Sequence, residues 1–164
     1  GPNPQESPLR RTDQALLQLI RSAKEHLLIV SFAVYKVPEI ADALVKALNR
    51  GVSLQIVAEA PDESEGKISY GLTSTFGSDI LNRAQVLVWP IEQRPKDSDG
   101  RHGSLHAKCA VADREWVFIS SANLTHHALM LNLEMGTLVH NRMLADEILG
   151  QFHTLIESGF LYLV

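Results

Sequence analysis

Between Leu27 and Ala58 the chain spells out a strand, a helix and a second strand, and this pattern constrains the fold more than any other feature. Leu27 to Val34 is a β-rich apolar run suited to a buried strand. Pro38 opens a segment in which Ile40, Ala43, Leu44, Ala47 and Leu48 recur at helical spacing, and Gly51 ends it. Val52 to Ala58 is apolar again. Two such strands joined by a helix lie parallel with a right-handed crossover. The expected class is therefore α/β: a mixed, largely parallel β-sheet flanked by helices on both faces.

The flanking segments extend this frame. Ala15, Leu16, Leu19, Ile20 and Ala23 predict a helix over about 13–25, with Thr12 or Asp13 as its cap. Residues 61–84 carry a weak helical pattern near Ile80 and Leu81, and Val86 to Trp89 reads as a short strand. Pro90 to Ser104 combines Pro, Gly and charge without apolar periodicity, so a mobile loop that controls access to a site is expected there. From Leu105 the chain reads strand, turn at Asp113-Arg114-Glu115, strand to Ser121, loop, strand over about 133–140 and helix over about 142–157.

At 45% hydrophobic residues the 164-residue chain can bury a core, and 13–164 is expected to form one domain behind a tail at 1–12. Gly1-Pro2 reads as the remnant of a cleaved tag, so the natural chain is expected to begin earlier. The longest apolar run, Leu27 to Val34, is eight residues and contains Ser31, against roughly 20 for a membrane-spanning helix. No stable membrane insertion is expected. Fifteen Lys and Arg against nineteen Asp and Glu leave a net charge of −4, which excludes a global positive field for nucleic acid and requires any phosphate site to be local. The single cysteine, Cys109, permits no internal disulfide; its apolar neighbours mark it as a core residue, and a cytoplasmic location is expected.

A hairpin centred on Arg114-Glu115 pairs Ala110 with Ile119, Lys108 with Ser121 and His106 with Asn123. Alternation then brings His106, Lys108, Ser121 and Asn123 to one face. Lys108 offers a point charge, Ser121 and Asn123 offer neutral donors, and the His106 imidazole can attack or shuttle a proton. The set suits a phosphodiester, with its nonbridging oxygens on Lys108 and Asn123 and the imidazole in line with phosphorus. Glu134, on the next strand, is placed to hold the other ring nitrogen of His106. Asp113 has the opposite strand parity to Lys108 and is expected to organise the turn through backbone bonds.

These residues resemble a known family. His106-Ala-Lys108, four residues and then Asp113 form the H-x-K-x4-D motif of the phospholipase D superfamily; Ser120-Ser121-Ala122-Asn123 corresponds to its Gly-Ser-x-Asn, and Asn132-Leu133-Glu134 to its Asn-x-Glu. The departure is Ser120 in place of glycine. Phe32-Ala-Val-Tyr35 and Arg50-Gly51-Val52 resemble the first βαβ unit of the family's small bacterial nucleases, and the similarity spans about 15–157. A narrower similarity, around Val30 to Ala60, is to the phospholipase-D-like component of the bacterial DISARM anti-phage system.

The resemblance implies a phospholipase D-like fold and hydrolysis without metal or other cofactor. One motif's histidine forms a phosphohistidine and a second motif's histidine protonates the leaving alcohol. None of the other histidines, His26, His102, His126, His127, His140 and His153, begins an H-x-K. The second motif must then come from another chain, most simply in a homodimer. His102, His106, His126 and His127 invite a metal site, but no His-Glu-x-x-His helix accompanies them and none is expected. Arg94, Lys96, Arg101 and His102 are offset by Glu92, Asp97 and Asp99 and read as a solvated loop. The expected function is a nuclease-type phosphodiesterase with a preference for single-stranded nucleic acid. The alternatives are a phospholipid hydrolase or transferase, and a non-catalytic phosphate-binding subunit working with other defence or repair proteins.

Overall fold

A computed structural model describes residues 11–31, 34–35, 37–59, 76–125, 128–129 and 132–164. In chain order its elements are α1 (Thr12–Ser22), β1 (His26–Ser31), β2 (Val34–Tyr35), α2 (Pro38–Asn49), β3 (Ser53–Glu59), α3 (Ser78–Arg83), β4 (Gln85–Trp89), a short 3-10 turn (Ile91–Gln93), β5 (Cys109–Ala112), β6 (Trp116–Ser120), β7 (Leu124–Thr125), β8 (Gly136–His140), α4 (Arg142–Glu157) and β9 (Tyr162–Leu163). Seven strands form one sheet in the order β8-β6-β5-β1-β3-β4-β9, and β2 and β7 pair separately.

The fold is mixed α/β, with helices on both faces. Alternation along β1 explains the two layers: Leu27 and Ile29 join the core under α1, α2 and α3, while Leu28 and Val30 join the core under α4 with Ala145 and Phe152. The β1–β3 and β3–β4 ladders are parallel, as the strand-helix-strand pattern requires. The sheet is nevertheless less parallel than expected. The ladders β1–β5, β5–β6, β6–β8 and β4–β9 are all antiparallel: β5 and β6 form a hairpin that β8 extends, and β9, after α4, adds an antiparallel strand at the opposite edge.

Local chemistry sets the helix ends. Pro38 occupies the first turn of α2, where its missing N–H costs nothing. Gly51, at φ +88°, turns the chain out of α2, and the Arg50 guanidinium donates to the Ile20 and Ala23 carbonyls at the end of α1. Asn141 caps α4 by accepting the Leu144 N–H at 3.0 Å. At the start of α1 neither Thr12 nor Asp13 is the cap. Arg11 stands there, and its guanidinium donates two bonds of 3.1 Å to Asp13, which sits in the first turn. The helix ends at Ser22, three residues short of the expected boundary.

The β5–β6 hairpin differs from expectation by one residue. Ala112 pairs with Trp116 and Cys109 with Ile119, because Asp113 (φ 54°) and Arg114 (φ 57°) both take left-handed backbone and Glu115 is left as an extra residue. Lys108 therefore lies opposite Ser120, whose N–H donates to the Lys108 carbonyl at 3.1 Å, rather than opposite Ser121. The regular strand also begins at Cys109, so 105–108 is irregular.

Asp113 fixes this turn to the centre of the sheet. Its N–H donates to the His26 carbonyl at 2.9 Å, and its carboxylate accepts the N–H groups of Lys24, Glu25 and His26 at 2.8–3.2 Å. Its carboxylate thus organises the entrance to β1 rather than, as the sequence suggests, its own turn. Burial pushes its carboxyl up, but the three backbone donors and the Lys24 charge outweigh this and hold it below the usual range. Asp113→Ala should cost about 1–3 kcal/mol in urea denaturation at neutral pH. Because the native carboxyl holds its proton less tightly than the unfolded one, this contribution is complete above about pH 4 and lost as pH falls through the native value. The stability gap between wild type and Asp113→Ala should therefore close on acidification; a gap unchanged down to pH 2 would contradict this account.

Candidate active site

The motif residues gather where β5 begins and β6 ends, as two joined pairs. In the first, the Lys108 ammonium donates to the His106 carbonyl at 2.9 Å and lies 3.3 Å from the His106 Nδ1. Lys108 is 9% exposed, and its surroundings include Leu16, Ile29, Phe118, Ala122 and Leu124. His106 itself is exposed.

The second pair is Ser121 and Glu134. Ser121 Oγ donates to Glu134 Oε2 at 2.5 Å and accepts the Met135 N–H at 3.1 Å. Asn132 Nδ2 donates to Glu134 Oε1 at 3.1 Å, so the Asn-x-Glu segment closes on itself around the serine. Two sequence expectations change here. The carboxylate of Glu134 faces Ser121 and Asn132 rather than the His106 ring. Ser121, with one hydroxyl hydrogen, directs it at Glu134, so a phosphate oxygen would have to compete for it. Asn123 Oδ1 is buried without a hydrogen-bond partner among the described residues; as an acceptor it cannot meet a phosphate oxygen, which would need the Nδ2 hydrogens.

Ser120, the departure from the family pattern, is accommodated across the sheet. It pairs with Gly136, where an added Cβ would lie 3.2 Å from the Ser120 Cβ and 2.9 Å from the Ile119 carbonyl oxygen. The missing side chain on β8 makes the room that Ser120 uses, and Ser120 Oγ in turn accepts the Ala122 N–H at 3.0 Å.

Residues that sequence reasoning passed over hold the approach to His106. Arg94, read as part of a solvated loop, is 4% exposed; Nη1 donates to Glu59 Oε1 at 2.7 Å, and Nε and Nη2 donate to the Trp89 carbonyl at 3.1 and 2.7 Å. Glu59 Oε2 accepts the Leu105 N–H at 2.6 Å. Segment 90–104 is therefore anchored at both ends, and a Lys96–His102 bridge closes its middle, in place of the mobile loop expected. Lys96 and Arg101 are exposed, as the solvated reading has them. Cys109 is largely buried, and burial pushes its thiol up to about 11, which suits an inert packing role. His126 and His127 lie outside the described residues.

A family model described as Cardiolipin synthase, PLD-like domain, matches residues 16–156. Among curated relatives, DISARM protein DrmC of Bacillus paralicheniformis is 30% identical over 132 residues, 80% of this chain and 50% of that protein. Cardiolipin synthase B of Salmonella typhi is 28% identical over 127 residues, 77% of this chain and 28% of that protein. The chain thus spans half or less of the length of these relatives. Its fold is similar to NucT from Helicobacter pylori, with a TM-score of 0.69 at 21% identity over 90% of each chain. It is also similar to Nuc, a phospholipase D family member from Salmonella typhimurium, with a TM-score of 0.65 at 23% identity over 87% of this chain and 84% of that one.

The Gly136 contact yields a stability test. Gly136→Ala should lower stability by about 1–3 kcal/mol in thermal denaturation, the usual range for overpacking. Adding Ser120→Gly should recover little, because the nearest obstruction is the Ile119 backbone carbonyl. Full recovery in the double variant would show that side-chain crowding alone decides this position.

Proposed function

The chain belongs to the phospholipase D superfamily, and from that premise we propose that it is a metal-independent phosphodiesterase, a nuclease acting through a phosphohistidine at a site completed by a second copy of the chain. The observation that carries the proposal is the Lys108–His106 contact, which sets a cation against an exposed imidazole beside the Ser121–Glu134 pair. With Nδ1 facing an ammonium, the neutral ring carries its hydrogen on Nε2. A phosphodiester drawing Lys108 onto its nonbridging oxygen releases Nδ1 to take up that hydrogen and leaves Nε2 free to attack. Asn123 offers the second contact to the phosphate, and Ser121 a third once its hydroxyl turns from Glu134. Glu134 holds the serine in its own chain, and the orienting role for His106 falls to it when the site is assembled. Asp113 stays structural.

In the first step Nε2 of His106 bonds to phosphorus, the P–O bond to the leaving alcohol breaks, and His106 of the second copy gives that oxygen a proton. In the second step water attacks phosphorus, the now neutral second ring takes its proton, and the P–N bond breaks. Residues 1–164 hold one H-x-K, and a second copy of them is proposed to supply the other. Leu133 and Met135, which flank Glu134 and are 86% and 83% exposed, support the pairing, since a second copy covering them would remove apolar surface from water beside the site.

The nuclease reading rests on the likeness to the family's small bacterial nucleases. Similarity to proteins named cardiolipin synthase keeps a phospholipid substrate as the second reading. Similarity to a DISARM protein supports defence-system partners, in which the chain would serve as a phosphate-binding subunit. Among the described residues no helix is long and apolar enough to cross a membrane. A cytoplasmic location is part of the proposal.

Single-stranded DNA, duplex DNA, RNA and phosphatidylcholine vesicles, each assayed in excess EDTA with wild type and His106→Ala, separate these readings. The expected result is hydrolysis of nucleic acid that survives chelation and is abolished by His106→Ala. Lys108→Ala should cost about 10²–10³-fold in kcat, the scale of one lost oxyanion donor. Loss in EDTA with rescue by zinc or magnesium would overturn the mechanism, and turnover of lipid alone would select the second reading. Sedimentation should show a dimer at micromolar concentration; a strict monomer with full activity would remove the shared site. The chain's charge of −4 adds a prediction of weak duplex binding, a shallow salt slope and faster cleavage of single strands.

A further inference from the structure

We propose that Glu59 and Arg94 are positioning residues for the reaction, acting on His106 through the Leu105 amide. The proposal rests on the reading above for its catalytic consequence, but its structural content stands on this pair alone. Glu59 ends β3 and Trp89 ends β4, so both anchors lie at the C-terminal edge of the parallel strands, where α/β sheets build their sites. Arg94 spans the two. Its guanidinium uses Nη1 on Glu59 and the remaining nitrogens on the Trp89 carbonyl, with the Trp89 ring 5.7 Å from its central carbon. Glu59 divides its oxygens, one to Arg94 and one to the N–H of Leu105.

The consequence falls one peptide further on. The Leu105 N–H is fixed by Glu59 before His106, and the His106 carbonyl is fixed by Lys108 after it. The backbone of His106 is thus gripped from both sides while its imidazole stays exposed. Arg94 and Glu59 have side-chain exposures of only 2% and 15%, so this is a buried ion pair. Such a pair is a poor source of net stability, because desolvation offsets its attraction. Its geometry is what it supplies: two planar groups with directional bonds hold the Leu105 amide to a fixed point of the sheet. A displaced nucleophile of this kind loses rate more than affinity, since neither Glu59 nor Arg94 is among the residues proposed to contact the phosphate.

The test uses the full chain with Glu59→Gln, Arg94→Gln and Arg94→Lys, each studied well below its own melting temperature. Glu59→Gln keeps an acceptor and its size, which guards against a variant that fails to fold. Three readouts are taken: hydrogen exchange at the Leu105 amide, the NMR titration of the His106 imidazole, and kcat and KM on bis(p-nitrophenyl) phosphate. Arg94→Gln should speed Leu105 exchange about tenfold or more, move the His106 titration and lower kcat about 10- to 100-fold with KM little changed. Arg94→Lys should recover part of each effect, because it restores the charge to Glu59 but not the fork to Trp89. Leu105 exchange as slow as in wild type would overturn the proposal. So would faster exchange with the His106 titration and kcat unmoved, which would leave the pair a purely structural clasp. An inactive wild type would refute the phosphodiesterase reading instead, and the exchange and titration readouts would still decide whether the pair sets His106.

Discussion

Strand β1 is hydrogen-bonded along both edges, to parallel β3 on one side and antiparallel β5 on the other, and the rest of the molecule depends on that double pairing. The residues Leu27 to Val30 are buried on both faces, so the strand belongs to two cores at once. It joins the helical-crossover half of the chain to the hairpin half that carries His106 and Lys108. The bonds from Asp113 to Lys24, Glu25 and His26 continue this pairing beyond the end of β5. A slip of β5 by one residue would break them and exchange Ala110 with its neighbours between the two cores. The aspartate of the motif therefore serves the site from a distance, by fixing the register of the strand that follows the histidine and lysine.

What periodicity can express was legible in the sequence, and what depends on a particular turn or a distant partner was not. The amphipathic runs of α2 and α4 and the apolar run of β3 gave elements close to those observed, since each buries a repeating face. The hairpin register was read one residue out, because Asp113 and Arg114 supply left-handed backbone without the Asn-Gly or Asp-Gly signal that would mark it. Arg94 looked solvated among Glu92, Lys96 and Asp97. Its partner is Glu59, 35 residues away, at the end of a strand whose apolar pattern says nothing about the carboxylate beyond it. β7 and β9, at two residues each, are shorter than any pattern that alternation can reveal.

The site shows the same division. Motif spacing predicted that these residues lie in one region, yet their partnerships followed from counting hydrogens and acceptors. Ser121 has one hydrogen, and the carboxylate two residues beyond Asn132 claims it. The pairing of Ser120 with Gly136 likewise shows that a departure within one motif is resolved by a residue outside every motif, on the neighbouring strand.

Lys108 and His106 differ in how far the fold encloses them. A lysine is ordinarily a flexible point charge. Here it is buried, lines a small cavity with Leu16, Ile29, Phe118, Ala122 and Leu124, and has its ammonium tied to the carbonyl of the residue whose ring it also approaches. Fixing the stem removes the rotamer freedom that would otherwise be lost on binding an anion. The imidazole, by contrast, is exposed, and under the proposed mechanism it would turn to meet phosphorus in line. With a net charge of −4 residues 1–164 exert no long-range pull on a polyanion, so under the proposed function the attraction would act at contact range. A buried cation beside an exposed ring would meet that requirement, because burial of Lys108 reduces screening of its field by water.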